Sequence, residues 1–308
     1  MTTQKHRLAL VTDNNQHYLP LLEAKQLPDL EIISELSNAT IVLAAPPKLA
    51  SELDSAEQLQ WVQSTYAGID ALLGESLRKD YKLTNVKGIF GQQISEYVLG
   101  YTINYFRHFD LYKQQQQKRD WQPHSYQSLI GKRMVIFGTG AIGSHLANTV
   151  KVLGIVPIGV NRTGIPPRQS AFAETFHINE AEKALEHADI IVNTLPNTPT
   201  TDGLFNEPLF AACRHALFFN VGRGQTVDSN ALLSALDKGH LVHAFLDVFI
   251  NEPISQECPY WHNPNVTVTP HIAAISFPEQ VVEIFAENYL RWRDGFQLQN
   301  LVDFERGY

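Results

Sequence analysis

The sequence of 308 residues contains little cysteine, few basic residues and no long apolar run. Only Cys213 and Cys258 occur, far apart and outside any CxxC or metal-ligand spacing, which disfavours a disulfide framework and a structural zinc site. No apolar run approaches the roughly 18 residues that a membrane helix needs, and the apolar stretch near the start is too short for a signal peptide. These absences predict a cytoplasmic protein without a metal site.

The charge balance of the chain is acidic. It holds 24 Lys and Arg against 32 Asp and Glu, a net charge of −8, and no long basic block offsets this balance. Such a charge disfavours nucleic acid and anionic membranes as partners. The hydrophobic fraction of 44% is typical of a globular protein, and the length suffices for one large or two ordinary domains.

Short apolar runs rich in β-branched residues alternate with helical stretches along the chain. Continuous runs of this kind suit strands that are buried on both faces, so the alternation predicts parallel α/β sheets. A helical segment at about residues 93–118 separates the first group of strands from the second, which indicates two sheets. The last segment has the apolar spacing of an amphipathic helix that could return to the first domain.

A glycine-rich turn follows the apolar run "RMVIF" and precedes a helical pattern. In this GxGxxG motif, Gly138 allows a tight turn, Gly140 lets backbone amides approach a pyrophosphate, and Gly143 lets the helix pack closely on the strand. The amides around Ala141 and Ile142 begin a helix whose dipole favours an anion. The strand, turn and helix together predict dinucleotide binding.

The next strand ends in Asn161, Arg162 and Thr163, near the position where a ribose-binding carboxylate is expected, roughly 20 residues beyond the third glycine. Asn161 removes the repulsion between a carboxylate and a 2′-phosphate. Arg162 can pair with that phosphate, and Thr163 adds a hydroxyl donor. This strand end predicts a preference for NADP(H), with NAD(H) also possible. The plainer interpretation is a solvated arginine after an ordinary strand.

Polar side chains follow three later apolar runs. Arg223 lies between two glycines, Asp247 and Glu252 follow the next run, and His271 comes just after "VTVTP". Because ligands collect at the carboxyl ends of strands in open α/β sheets, we expect these side chains to lie close together. The set suits the reduction of a carbonyl beside a carboxylate, since the developing alkoxide needs an acid and a nearby positive charge.

The order and spacing of several stretches resemble the D-2-hydroxyacid dehydrogenase family, and more narrowly its glyoxylate/hydroxypyruvate reductase A group. These stretches, within about residues 66–308, are "GQQISEYVLGY", "GKRMVIFGTGAIG", "LPNTPTTDGLFN", "NVGRG", "LDVFINEP", "TPHIAAI" and "ERGY". The resemblance implies an α/β fold of two Rossmann-like, doubly wound parallel-sheet domains with a cleft between them. Residues 1–98 with 277–308 would form the substrate domain and residues 99–276 the dinucleotide-binding domain. It also implies a homodimer built around the nucleotide domain.

The resemblance further implies roles for the polar side chains of the second domain. Arg223 would hold the substrate carboxylate and polarise its C2 carbonyl, and His271 would donate the proton to the carbonyl oxygen. Glu252 would hydrogen-bond His271 and favour the imidazolium form. Asp247 would accept a hydrogen bond from the nicotinamide carboxamide.

Two loops complete the implied site. Pro196 and Thr201 of "LPNTPTT" would contact the cofactor, and the backbone amides around Ala67 and Gly68 would bind the substrate carboxylate. Tyr66 in the same loop stands where the family often has glycine.

The pocket in this chain departs from the pattern of the reductase A group. That group tends to carry tryptophan in the region where this chain has Ala44 and Ala45. The missing indole would enlarge the pocket, and Tyr66 would fill part of it. Glyoxylate and hydroxypyruvate are the leading candidate substrates, with bulkier 2-keto acids as the alternative.

These features predict a reductase that uses NADPH to convert small 2-keto acids into D-2-hydroxy acids. One alternative is a dinucleotide-sensing regulatory module on the same fold, because fold alone does not fix function. The intact set of Arg223, Glu252 and His271 and the lack of an added interaction tail argue against it. Another alternative is a related dehydrogenase for a different acid, such as formate or phosphoglycerate.

Overall fold

The computed structural model describes residues 5–305, which divide into two compact units. Unit 1 holds the residues up to Ile89 and those from Ser276 onward, and unit 2 is Phe90–Ile275. Residues 1–4 and 306–308, which include most of the "ERGY" stretch, lie outside the described residues.

The division between the units follows Ile89 rather than residue 98, because helix α3 (Phe90–Phe106) belongs to unit 2 from its first turn. There Gly91 lies so close to His145 of the neighbouring helix that an added Cβ would be 2.6 Å from the His145 side chain. The second division, after Ile275, lies one residue before the expected position.

Unit 1 is built on a five-stranded parallel sheet in the order β2-β1-β3-β4-β5. Its strands are β1 (His6–Val11), β2 (Leu30–Ile32), β3 (Ile41–Ala44), β4 (Trp61–Ser64) and β5 (Lys82–Thr84). Its helices are α1 (Asn15–Ala24), α2 (Pro46–Glu52) and α9 (Pro278–Arg293). Helix α9 covers this sheet, with Trp61 stacked on Phe285 at 5.4 Å and on Trp292 at 5.7 Å. The last helix therefore packs on the sheet of unit 1.

Unit 2 contains a seven-stranded parallel sheet in the order β12-β11-β10-β9-β6-β7-β8. Its strands are β6 (Arg133–Phe137), β7 (Val156–Asn161), β8 (Glu174–His177), β9 (Ile190–Asn193), β10 (Ala216–Asn220), β11 (Leu241–Leu246) and β12 (Val266–Val268). Besides α3, its helices are α4 (Phe109–Lys118), α5 (Ala141–Val152), α6 (Ala181–Leu185), α7 (Glu207–Ala211) and α8 (Ser229–Asp237). The strand order reverses between β6 and β9, as in doubly wound nucleotide-binding sheets.

Strand β6 is buried on both faces and contributes to two separate cores. Val135 and Phe137 point into a core with α6, α7 and α8, whereas Met134 and Ile136 point into one with α3 and α5. Helices on both faces explain why the strands read as continuous apolar runs. The predicted class, two parallel-sheet α/β domains, is confirmed.

Within residues 5–305, no helix is both long and apolar enough to cross a membrane. In the same range, no cluster of three or more His, Cys, Asp or Glu side chains could hold a metal ion. Cys213 and Cys258 are both free thiols, and burial raises the pKa of the Cys213 thiol to about 12.

His243 on β11 is a partly buried histidine beside the apolar core that contains residues of α3 and α5. The centroid of its ring lies 4.5 Å from that of Phe245 and 6.1 Å from that of Tyr105. Its Nε2 forms a hydrogen bond with the Thr267 hydroxyl at 2.8 Å. Burial lowers the pKa of His243 to about 4, with the charge of Asp110 acting weakly in the opposite direction.

We predict that His243 makes the fold less stable in acid. Its pKa is near 6.5 in the unfolded chain, so the unfolded state binds the proton first and stability falls as the pH drops from about 6.5 to about 4. Urea unfolding at pH 7.5 and 4.5 should show that His243→Gln removes about 1–2 kcal/mol of this loss. Replacement of the exposed His187 by glutamine is the control, and equal pH dependence in wild type and His243→Gln would refute the prediction.

Candidate active site

The glycine turn between β6 and α5 is closely packed at two of its three glycines. Gly138 has a φ of +96°, and an added Cβ would lie 2.5 Å from the Thr194 hydroxyl. A Cβ on Gly143 would lie only 1.9 Å from the Gly138 carbonyl oxygen. The turn and the helix therefore approach each other to a distance that only glycine allows.

The N-terminus of α5 is open, in contrast to the packed side of the turn. An added Cβ on Gly140, the residue before the helix, would meet no atom within 4 Å. The amides of the first turn, including those of Ala141 and Ile142, have no acceptor inside the helix. Free donors, a helix dipole and space free of side chains fit the pyrophosphate of a dinucleotide.

The end of β7 is shaped by the side chain of Asn161. Its Oδ1 accepts hydrogen bonds from the amides of Thr163 (3.0 Å) and Gly164 (2.7 Å), and its Nδ2 donates to the Thr139 hydroxyl (2.9 Å). Asn161 thus ties the strand end to the glycine turn. Arg162 is exposed, and no hydrogen bond or ion pair joins its guanidinium to another residue in 5–305.

The "LPNTPTT" loop after β9 is held by its own hydroxyl groups. Thr201 is 6% exposed, donates to the Pro196 carbonyl at 2.7 Å and accepts from the Thr198 amide at 2.9 Å. Pro196 itself is exposed. The Thr201 hydroxyl is therefore engaged within the loop, where it fixes the turn that presents Pro196.

A buried amide network that sequence analysis did not predict joins the ends of β9 and β10. The Asn193 side chain donates to Asn220 Oδ1 (2.8 Å) and to the Thr226 hydroxyl (2.7 Å). Thr226 and Asn220 both donate to the Arg223 carbonyl, at 2.6 and 3.1 Å. The available signal was that both strands end in asparagine at the same edge of the sheet.

Arg223 is held by its backbone between two neighbouring loops. A Cβ on Gly222 would lie 2.6 Å from the Leu195 carbonyl oxygen, and one on Gly224 would lie 2.0 Å from the carbonyl carbon of Phe249. The two flanking glycines therefore let the chain pass between the loops that follow β9 and β11. The guanidinium donates to the Gly222 carbonyl at 2.8 Å.

Asp247 is 2% exposed and organises the loop that carries His271. Its Oδ1 accepts from the Thr269 hydroxyl (2.6 Å) and the Ile272 amide (2.8 Å), and its Oδ2 accepts from the Ala273 amide (2.9 Å). The His271 amide donates to the Asp247 carbonyl at 3.0 Å. These bonds satisfy a buried charge, as such groups require.

His271 and Glu252, which the sequence predicted to interact, are in contact. His271 Nδ1 lies 2.7 Å from Glu252 Oε2, while Glu252 Oε1 accepts from the Phe249 amide at 2.8 Å. An ionised carboxylate only accepts hydrogen bonds, so Nδ1 carries the hydrogen and the ring orientation is fixed. Nε2, at the other side of the half-exposed ring, bonds to no residue in 5–305.

The loop after β4 carries the predicted substrate contacts of unit 1. The amides of Ala67 and Gly68 have no hydrogen-bond acceptor among the described residues, and the Asn85 side chain donates to the Ala67 carbonyl at 2.8 Å. The Tyr66 hydroxyl donates to Asp13 at 3.4 Å. Partial burial, followed by the charge of Asp13, raises the pKa of Tyr66, so the phenol stays neutral at physiological pH.

The alanines in the region where the reductase A group tends to carry tryptophan are both buried. Ala44 lies in the apolar core of unit 1, and Ala45 is 2% exposed. Tyr66, 38% exposed, supplies the large side chain at this edge of the sheet.

A family model for the NAD-binding domain of D-isomer-specific 2-hydroxyacid dehydrogenases matches residues 99–273. The chain belongs to this family. The dehydrogenase is 34% identical to the glyoxylate/hydroxypyruvate reductase A of Serratia proteamaculans (strain 568), over 82% of each chain.

Solved structures agree with this family membership. A D-isomer-specific 2-hydroxyacid dehydrogenase family protein from Aeromonas salmonicida is 42% identical, with a TM-score of 0.94 over 97% of this chain and 99% of that one. An NADPH-dependent glyoxylate/hydroxypyruvate reductase from Sinorhizobium meliloti, in complex with NADP and sulfate, is 28% identical, with a TM-score of 0.87 over 99% of this chain and 100% of that one. The predicted family and its reductase A group are confirmed, and the dehydrogenase is an oxidoreductase.

Proposed function

We propose that this dehydrogenase reduces small 2-keto acids to D-2-hydroxy acids and prefers NADPH as the reductant. The observation that carries the proposal is the His271–Glu252 pair, because it leaves an oriented ring nitrogen available as a proton donor. Glyoxylate and hydroxypyruvate are the leading substrates, since the similar proteins from Serratia and Sinorhizobium bear those names.

The residues that would hold the nucleotide lie on α5 and at the end of β7. The amides at the start of α5, including those of Ala141 and Ile142, would bind the pyrophosphate. Arg162 and Thr163 would bind the 2′-phosphate, because both residues are exposed at the turn made by Asn161. The Thr163 hydroxyl, which donates to Asn161 Oδ1 at 3.2 Å, would have to turn toward the phosphate. When bound, the nicotinamide supplies the hydride for C2 of the substrate.

The remaining chemistry belongs to unit 2's polar side chains. His271, as imidazolium, donates the Nε2 proton to the carbonyl oxygen, and Glu252 stabilises the positive ring before the transfer. Arg223 pairs with the substrate carboxylate and draws electron density from the carbonyl oxygen. Asp247 acts mainly by holding the His271 loop, with the nicotinamide carboxamide as a further donor to its carboxylate. In unit 1, the free amides of Ala67 and Gly68 are suited to bind a carboxylate.

The catalytic role predicts a large loss of turnover in His271→Ala. With NADPH and a panel of glyoxylate, hydroxypyruvate, pyruvate and phenylpyruvate, kcat should fall by about 10²–10⁴, while the Kd for NADPH stays near the wild-type value. The absorbance of NADPH reports turnover, and His187→Ala is the control. A wild-type protein that binds NADPH but reduces none of these acids would favour the dinucleotide-sensing alternative.

The cofactor preference is tested at Arg162. One charge-assisted hydrogen bond contributes about 1.5–3 kcal/mol, so Arg162→Ala should weaken NADPH binding by about ten- to a hundredfold and leave NADH binding unchanged. Nucleotide fluorescence titrations give both Kd values. Arg214→Ala removes an exposed arginine that precedes β10, at the opposite edge of the sheet, and serves as control. Equal losses for both nucleotides would contradict the proposal.

We also propose that the dehydrogenase forms a homodimer through the segment from α4 to the start of β6. Several large apolar side chains are exposed there, and Trp121 is 98% exposed. The exposed apolar residues of this segment are Phe109, Leu111, Trp121, Tyr126 and Ile130. Large apolar side chains exposed in one segment are candidates for an interaction surface, and aromatic anchors dominate binding energy at interfaces.

Trp121→Ser should therefore weaken the dimer by at least about tenfold, because a central aromatic anchor contributes about 2 kcal/mol or more. Light scattering over a dilution series measures the effect. Trp261→Ser is the matched control, because Trp261 is also exposed but lies in the 3₁₀ helix Pro259–His262. A wild-type protein that is monomeric at all concentrations would overturn the assignment.

A further inference from the structure

Helix α3 places two polar side chains against the loop that carries His271. Gln93 and Tyr97 are one turn apart and share a helix face. Both bond to the segment 269–275, hereafter the His271 loop, although they precede it by 182 and 172 residues. They belong to the "GQQISEYVLGY" stretch, which the proposed chemistry leaves without a role.

Tyr97 holds the beginning of the His271 loop through a directed chain of hydrogen bonds. Its hydroxyl lies 2.8 Å from that of Thr269, and the Thr269 hydroxyl lies 2.6 Å from the Asp247 carboxylate. A carboxylate only accepts, so Thr269 must donate its single proton to Asp247. Tyr97 is therefore the donor to Thr269. Burial raises the pKa of Tyr97, which keeps this donor protonated throughout the range of enzyme assays.

Gln93 holds the end of the same loop. Its Nε2 donates to the Ile275 carbonyl at 3.0 Å, and its Oε1 accepts from the Ile275 amide at 2.8 Å. One side chain thus satisfies both backbone groups of a residue in irregular structure. Together, Gln93, Tyr97 and Asp247 anchor the end, the beginning and the middle of the loop.

The anchors matter because His271 has an unfavourable backbone conformation. Its φ of +53° lies in the left-handed region, where residues other than glycine are held only by their surroundings. A loop released at either end can relax this angle. Relaxation would turn the imidazole away from Glu252, since their 2.7 Å contact depends on the direction of the His271 side chain.

We propose that Tyr97 and Gln93 are positioning residues that hold the His271 loop in the shape needed for proton transfer. They touch neither substrate nor nicotinamide in this scheme and act only through Thr269, Asp247 and Ile275. The inference rests on the proposed role of His271 as the proton donor.

The first test compares Tyr97→Phe with Tyr101→Phe on the same helix. One net hydrogen bond corresponds to about a two- to tenfold effect, so Tyr97→Phe should lower the single-turnover rate of NADPH oxidation by that factor. The Kd for NADPH should stay within about twofold of wild type, because the glycine turn is untouched. The Tyr101 hydroxyl bonds to no residue in 5–305, so its removal should leave the rate unchanged.

The second test measures the loop without using activity. Hydrogen exchange of the Ile272 and Ala273 amides, measured on a peptide spanning 269–275, should be about two- to tenfold faster in Tyr97→Phe. Gln93→Leu should speed hydrogen exchange of the Ile275 amide and should also lower the single-turnover rate of NADPH oxidation. Its control is Gln92→Leu, because Gln92 bonds to Glu96 instead of the loop. If Tyr97→Phe does not fold, Gln93→Leu alone tests whether the contacts of α3 with the His271 loop affect turnover.

A double-mutant cycle identifies the route of the Tyr97 effect. In a Thr269→Val background, Tyr97→Phe should have no further effect on the rate, because the hydroxyl through which it acts is already gone. Faster exchange with an unchanged turnover rate would overturn the positioning role, as would exchange equal to that of the controls. If the wild-type protein reduces no 2-keto acid but both variants show the faster hydrogen exchange, the loop contacts are supported and the proposed role of His271 as proton donor is wrong.

Discussion

A carboxylate buried at the end of a strand needs hydrogen-bond donors, and the site depends on which groups supply them to Asp247. At 2% exposure its charge is removed from water, and three donors from residues 269–273 surround it. Leaving such a charge unpaired costs several kcal/mol. These hydrogen bonds tie the loop after β12 to the end of β11. His271 lies in the middle of that loop, so its position is set by the bonds that the loop makes to Asp247.

The same principle places Arg223. Asn193 and Asn220 are each at most 1% exposed. Their side-chain amides form hydrogen bonds with one another, with Thr226 and with backbone atoms. The glycines on both sides of Arg223 then let its backbone enter the gap between loops. The side chains proposed to react are thus positioned by buried groups that do not react.

The sequence predicted those parts of the structure whose causes are local. Burial on both faces leaves continuous apolar runs, and close helix–strand packing leaves Gly143 three residues after Gly140, so sheet class and glycine turn were both predictable. The roles of Asn193 and Tyr97 were not, because their partners lie many residues away and no spacing rule connects them. Periodicity also could not tell that α3 joins unit 2 at Phe90, since a helix has the same repeat in either unit.

The turn at Asn161 links the proposed coenzyme preference to the architecture of one loop. Both ends of this amide are hydrogen-bonded, the oxygen by two backbone N–H groups and the Thr163 hydroxyl, and the nitrogen by the Thr139 hydroxyl and the Ile165 carbonyl. An aspartate at position 161 would keep the Oδ1 acceptor, but its second carboxylate oxygen would face the Ile165 carbonyl oxygen. With Arg162 and Thr163 proposed as the contacts of the 2′-phosphate, replacement of Asn161 by aspartate would therefore also require a change in the segment around residue 165.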